Sequence, residues 1–316
     1  MKGFLNLGQT CYFNAAVQCL VFAPNCTNYL LEGAETNDVN PKRKLAGALA
    51  HEFAQLVREY WSSGAEGDVA HVEPLFVAFC KACKGFKVGE QHDAHEAMVC
   101  MLDKIHEGLS RMKPGDLAVS KQAGVSGSAW VSDLKSETSI VSEVFRGQVQ
   151  VRVSGPGYES VTYDHFTSIS LAITESSNLM ACVQRFMAPE TIPNYNESES
   201  GKRMTVTMYR TFTYLPRVLL VHLKRFDGKG GKVDKFVDYP FELSLGVHAP
   251  GDVVAPHYQL CAVCLHRGTA DSGHYAACCE VHDKWFLLDD QLCTPLDDIN
   301  HVIQRDAYIL MYKRMA

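Results

Sequence analysis

No stretch of this chain approaches the roughly 18 consecutive apolar residues that would suggest a membrane span. Its first residues, Met1 to Asn6, lack the basic-then-apolar layout of a signal peptide. Charge of neither sign dominates: 30 Lys and Arg stand against 36 Asp and Glu, a formal net charge of -6. That balance argues against nucleic acid as the main partner and suits one with a basic surface. There is no internal repeat and no low-complexity tract. Cysteine, by contrast, is plentiful at 12 residues. The scatter of these residues does not resemble the dense framework of a small secreted domain. They read as reduced thiols, mostly small core residues, in an intracellular protein of the cytoplasm or nucleus. The 316 residues suffice for a sizeable core, in one large domain or two ordinary ones.

Apolar periodicity predicts helices first. Phe13, Ala16, Val17 and Leu20 form a stripe over 11–22. Leu45, Leu49, Phe53, Leu56 and Tyr60 repeat it over 44–61. Ala94, Ala97, Met98, Met101, Leu102, Ile105 and Leu109 share one face over 91–109. A shorter helix over 72–83 tolerates Pro74 in its first turn. Segment 111–140 is rich in Gly, Ser and Lys and reads as a long loop. From Glu143 to Val153 the chain alternates, with Phe145, Val149, Val151 and Val153 on one side, which predicts a half-buried strand. Further strands are expected over 166–173, 204–212, 217–223, 258–265, 274–280, 284–288 and 307–313, and a turn over 194–203. Helices before strands make an α+β layout, with a natural site between the two parts.

Thiol chemistry needs a thiolate, a base, a group that orients the base, and donors for an oxyanion. Cys11 opens a predicted helix, where backbone N–H groups favour a negative sulfur. Taken alone, one cysteine among twelve is far more often a core residue. Its surroundings change that. Gly3-Phe4-Leu5-Asn6-Leu7-Gly8-Gln9-Thr10-Cys11-Tyr12-Phe13-Asn14, followed by Val17-Gln18-Cys19-Leu20, resembles the cysteine box of the ubiquitin-specific proteases. Ser272-Gly273-His274-Tyr275-Ala276-Ala277 resembles that family's Gly-His-Tyr box, and Trp285-Phe286-Leu287-Leu288-Asp289-Asp290 its sequel. Gly89-Glu90-Gln91-His92-Asp93-Ala94-His95-Glu96-Ala97 resembles its Gln-Gln-Asp-Ala-His-Glu-Phe segment. Leu215-Pro216, His222-Leu223-Lys224-Arg225-Phe226, Val237-Asp238-Tyr239-Pro240-Phe241 and Asp306-Ala307-Tyr308-Ile309-Leu310-Met311-Tyr312 match later landmarks, read as scaffold. The likeness runs in order from residue 3 to residue 313. Gln9 and Phe13 stand where the family usually has Asn and Met.

The resemblance implies a papain-like α+β fold with a thumb (about 1–142), fingers (about 143–214) and a palm (about 215–316). It implies Cys11 as nucleophile and His274 as base. Asp289 would orient His274 through its Nδ1 proton, Asn6 would act as oxyanion donor, and Asp290 as supporting residue. Gln91, Asp93 and Tyr275 would line the channel for the substrate tail, where a carboxylate suits the arginines of ubiquitin's tail. An acidic helix start is the plainer reading of the same residues. The implied substrate is ubiquitin or a ubiquitinated protein, cut after its C-terminal glycine by a chain expected to be monomeric. A protease for a ubiquitin-like modifier and a silent ubiquitin-binding module are the alternatives. The two Cys-x-x-Cys pairs that bind zinc in many members would fall at Ser154 and Gly157 and at Asn196 and Glu199, so no zinc ligands remain there. Elsewhere, Cys261 and Cys264 sit on a predicted strand, where residues three apart face opposite sides. Cys80 and Cys83 share a helix turn without an evident second pair. No cofactor and no metal is expected.

Overall fold

The computed structural model describes residues 1–63, 68–110, 138–173, 177–197, 201–228, 230–249, 252–270 and 272–315. Of the expected loop 111–140, only 138–140 fall among them. In chain order the first elements are β1 (Gly3–Phe4), α1 (Cys11–Leu20), α2 (Cys26–Leu31), α3 (Lys44–Trp61), β2 (Val69–Ala70), α4 (Glu73–Ala82) and α5 (Ala94–Gly108). Next come α6 (Ile140–Phe145), β3 (Gly147–Gly155), β4 (Tyr158–Phe166), β5 (Ser168–Ala172), α7 (Leu179–Met187), β6 (Glu190–Asn196), β7 (Arg203–Tyr214) and β8 (Val218–Lys224). The last are β9 (Glu242–Ser244), β10 (Val247–Ala249), β11 (Asp252–Val254), β12 (His257–Gly268), β13 (Gly273–Val281), β14 (Lys284–Asp289), β15 (Leu292–Leu296) and β16 (Ala307–Arg314).

Two sheets carry the strand half. The larger has the order β15-β14-β13-β12-β16-β8-β5, with β9 added to β12. Only its β5–β8 pair is parallel. The smaller is an antiparallel sheet of order β4-β3-β7-β6. One face of the larger sheet packs on the helices, in a core holding Phe4, Phe13, Phe53, Phe76, Met98 and Cys264. The other face packs with α7 through Leu171, Leu179, Leu219 and Tyr239. Every residue of α1 is buried, including the polar Asn14 and Gln18. A helix enclosed on all sides has no solvent for such groups, so their amides must find protein partners.

The helical stripes fold as the periodicity predicts, and α3 spans the expected 44–61. The strand expected from Glu143 begins instead at Gly147, because 140–145 is a helix. Ser139 caps it by accepting from the Ser142 N–H while the Ser142 side chain returns the bond to the Ser139 N–H. Helix α7, capped by Asn178 Oδ1 on the Ala181 N–H at 2.8 Å, has no counterpart in the expected elements, nor do β4 and β6. Both strands are edges of the small sheet, mostly exposed or half-exposed, so they lack a clean apolar alternation. Of the turn expected over 194–203, Asn194 to Asn196 belong to β6 and Arg203 to β7, while 198–200 lie outside the described residues. Across the tip of this sheet the rings of Tyr158 and Tyr195 lie 5.8 Å apart, with their hydroxyls 3.4 Å apart. A β-bulge between Leu260 and Ala262 breaks the strict alternation of β12. Cys261 and Cys264 therefore both join the core shared with the helices, which corrects the expectation that they face opposite sides.

Candidate active site

The loop before α1 is shaped by its own polar groups. The Gly8 and Thr10 N–H groups donate to Asn6 Oδ1 at 3.0 and 3.2 Å, and the Leu7 N–H donates to Thr10 Oγ1 at 2.9 Å. The turn needs left-handed backbone at Gly8 (φ +97) and Gln9 (φ 60). It delivers Cys11 to the first position of α1, 4% exposed. There the backbone N–H groups of Tyr275, Tyr12 and Cys11 itself face the sulfur and favour its anion. Burial outweighs them, and the nearby Asp290 carboxylate adds to it, so the thiol pKa is raised above its ordinary 9.0. The N–H groups at the helix start thus act in the expected direction against burial, and a neighbouring base would help free the sulfur of its proton.

A candidate base lies on the neighbouring strand. Tyr275, whose N–H faces Cys11, follows His274 near the start of β13. Strands β13 and β14 pair antiparallel, with Ala277 opposite Leu288, so Asp289 at the end of β14 comes level with the imidazole. His274 Nε2 and Asp289 Oδ1 are 2.6 Å apart. The sequence reading had the Asp289 bond on Nδ1. The carboxylate instead approaches the far side of the ring, and a carboxylate acceptor fixes the proton on Nε2. Nδ1 is then the nitrogen free to act as base.

Asp290 ties the two halves of the site together. It adopts φ 50, in the left-handed region. Its carboxylate accepts from Asn6 Nδ2 at 2.8 Å and from Asn14 Nδ2 at 2.7 Å. Its carbonyl accepts from the Phe4 N–H at 2.8 Å and from Gln18 Nε2 at 3.2 Å. The buried side-chain NH2 groups of Asn14 and Gln18 thus both donate to one residue after β14, Asn14 also to the Leu5 carbonyl at 3.3 Å, while their amide oxygens find no partner among the described residues. Asn6 keeps a second Nδ2 hydrogen available to an oxyanion. Asn14 and Gln18 stand in the cysteine box, but sequence reasoning gave them no role, because only their depth in the fold shows that they need acceptors.

The remaining expected residues gather on the same side. Gln91 Nε2 donates to Gln9 Oε1 at 2.7 Å and to the Gly273 carbonyl at 3.3 Å, bridging the cysteine and histidine loops. Asp93 caps α5, accepting from the His95 and Glu96 N–H groups at 2.7 and 3.1 Å, and its other oxygen accepts from the Tyr308 hydroxyl. Tyr275 is buried, its ring 4.5 Å from that of His266 and 5.9 Å from that of Tyr308. A Cβ on Gly273 would lie 2.1 Å from His266 Nε2, so only glycine fits beside this ring. Tyr308, read from sequence as scaffold, and His266, to which the sequence analysis gave no role, thereby help set the strand that carries His274. Among the described residues, one group has three side chains of metal-binding type within reach of one another: His274, Asp289 and Asp290. Its members are the groups already paired above.

Residues 2–312 match the family described as ubiquitin carboxyl-terminal hydrolase. The chain belongs to that family. It is similar to ubiquitin carboxyl-terminal hydrolase Usp2 of Drosophila melanogaster, with 29% identity over 99% of this chain and 34% of the relative. With ubiquitin carboxyl-terminal hydrolase 4 of Saccharomyces cerevisiae the identity is 30%, over 99% of this chain and 39% of the relative. With human ubiquitin carboxyl-terminal hydrolase 21 it is 26%, over 99% and 61%. The chain thus spans between about a third and three fifths of the length of these curated relatives. In structure it is similar to the SAGA Ubp8/Sgf11/Sus1/Sgf73 DUB module bound to ubiquitin aldehyde. The TM-score is 0.79 at 24% identity, covering 100% of this chain and 70% of that one. That likeness shows the α+β papain-like fold of the family.

Proposed function

We propose that this chain is a deubiquitinating thiol hydrolase, cutting the peptide or isopeptide bond after the C-terminal glycine of ubiquitin. The observation that carries the reading is the His274 Nε2 to Asp289 Oδ1 contact of 2.6 Å on the strand whose Tyr275 N–H faces Cys11. His274 Nδ1 takes the Cys11 proton as the sulfur attacks the glycine carbonyl, and later gives it to the leaving amine. Asp289 stabilises the imidazolium. The second Nδ2 hydrogen of Asn6 and the Cys11 N–H meet the oxyanion. Water then releases the acyl group. No step calls for a cofactor.

Gln91, Asp93 and Tyr275 form the wall along which the tail enters. Gln91 does so as the latch between the loops, and Asp93 as a carboxylate that α5 and Tyr308 hold in place. The thumb is 1–142 and the fingers are centred on β3, β4, β6 and β7. Strand β5 pairs with β8 of the large sheet, so the palm draws on 168–172 as well as 215–316. The chain is read as a monomer working in the reducing cytoplasm or nucleus, where cysteines stay as thiols. Relatives whose names or titles mention ubiquitin support ubiquitin over a ubiquitin-like modifier. The test uses two probes, ubiquitin and a ubiquitin-like modifier, each bearing an electrophile at its C-terminus. Wild type should form an adduct with the ubiquitin probe, and Cys11→Ala with neither. Labelling of Cys11→Ala, or of wild type by the modifier probe alone, overturns the reading.

A further inference from the structure

Strand β12 runs on past the end of its neighbour. Its Leu265 pairs with Ala307, where β16 begins, so the residues that follow have no strand on that side. The His266 N–H still donates to the Asp306 carbonyl at 2.8 Å. In a strand the N–H and C=O of one residue point the same way, and residues two apart share that direction. The carbonyls of His266 and Gly268 therefore lie along an open edge. Arg267, between them, turns to the other side and stands opposite His274 of β13. The Lys232 ammonium meets both edge carbonyls, His266 at 2.9 Å and Gly268 at 3.0 Å. Burial lowers its pKa, as suits a cation taken from water onto neutral acceptors, although the Asp306 carboxylate favours its charge.

The segment that carries this lysine is itself anchored. Lys232 pairs antiparallel with Phe226, and the Val233 N–H donates to the Arg225 carbonyl at 2.7 Å. The wholly buried Arg225 donates to the Val233, Lys235 and Ala307 carbonyls at 3.0, 2.8 and 2.6 Å. One cation thus ties the segment to the start of β16, and the second reaches from it to β12. His266 is 2% exposed, so without the ammonium its carbonyl would lose a donor where little water reaches. Its ring packs 5.1 Å from Phe226 and 4.5 Å from Tyr275, whose N–H faces Cys11.

We infer that Lys232 is a positioning residue for the hydrolysis proposed above, on which this inference rests. Its ammonium stands in for the strand that β16 does not extend. It closes the edge of β12, so that the β12–β13 pair holds His274 and Tyr275 in place against Cys11. Lys232→Met keeps the length of the side chain without its donors, and Lys232→Arg keeps donors for two carbonyls. Kinetics on a ubiquitin C-terminal fluorophore are normalised to active sites titrated with the electrophilic ubiquitin probe, so that misfolded protein does not count. Lys232→Met should lose on the order of 10- to 10²-fold in kcat, the scale of a small misplacement of reacting groups, with KM unchanged. Lys232→Arg should recover most of it. In wild type, the Lys232 ammonium should give a slowly exchanging nitrogen-15 signal, which needs no variant to fold. A Lys232→Met protein within about twofold of wild type in kcat overturns the inference, as does one whose loss lies in KM alone. So does Lys232→Arg as slow as Lys232→Met, or an ammonium that exchanges as fast as the exposed lysines. A wild type silent toward the fluorophore and the probe would instead sink the proteolytic reading, and this inference with it.

Discussion

Asp290→Ala should cost stability as well as rate, because that side chain holds α1 to the end of β14. The carboxylate accepts two amide bonds, from Asn6 at 2.8 Å and from Asn14 at 2.7 Å. A hydrogen bond to a charged group contributes about 1.5–3 kcal/mol, and a buried donor left unpaired costs about 1–3 kcal/mol. Asn14 is 1% exposed, so water cannot replace the lost acceptor, and only the longer bond of its Nδ2 to the Leu5 carbonyl, at 3.3 Å, remains. Asn6 is half-exposed and recovers part of its bond from solvent. Alanine also tolerates φ 50 less well than aspartate. The carbonyl bonds from Phe4 and Gln18 survive the substitution. Together these terms give a loss of about 3–5 kcal/mol. Asp290→Asn tolerates the backbone and keeps one acceptor oxygen, so it should lose about half as much. Urea melts monitored by tryptophan fluorescence measure both losses. In a double-mutant cycle, Asn14→Ala should overlap with Asp290→Ala rather than add to it. An Asp290→Ala protein within about 1 kcal/mol of wild type would refute the reasoning.

Asp289→Ala should show the opposite split, losing on the order of 10⁴-fold in kcat. Its stability should stay within about 1 kcal/mol of wild type, since the His274 and Asp289 side chains are 43% and 33% exposed. Steady-state kinetics on a ubiquitin C-terminal fluorophore, paired with the same melts, separates the two aspartates. Burial lowers His222 to about 3, with His95 stacked 3.9 Å away and Lys224 nearby adding to it, and burial with Lys232 lowers His266 to about 4. An unfolded imidazole titrates near about 6.5, so below that pH the unfolded chain binds more protons than the native one. Stability should therefore fall as pH drops, by about 1.4 kcal/mol per pH unit for each histidine well below 6.5. Melts at about pH 7 and about pH 5 check this, and the slope should lessen in His222→Gln. The purified chain should carry no stoichiometric zinc, and chelator should leave its melting unchanged, because Ser154, Gly157 and Asn196 offer no thiolates. Metal analysis by mass spectrometry finding near one zinc per chain would contradict this.

Much of the fold was legible in the sequence because long helices and buried strands leave clear periodic signals. The stripe over 44–61 became α3, and the apolar runs near 258, 274 and 307 became the centre of the large sheet. The end of the short helix over 140–145, from Glu143, was read as strand because five or six residues cannot distinguish the two periods. There the Ser139–Ser142 capping box decided. The exposed strands β4 and β6 pair by backbone bonds that any side chain permits, so their residues carried little signal.

The identities and spacing of the cysteine, histidine and aspartate boxes were set by the sequence itself, since chemistry at a site depends on which side chains are present. The tertiary structure decided how those side chains meet. It put Asp289 on Nε2 of His274, raised the Cys11 thiol by burying it, and made Asp290 the clamp for two buried amides. Each of these turns on distance and burial that only the packed fold supplies, and local pattern carries neither quantity.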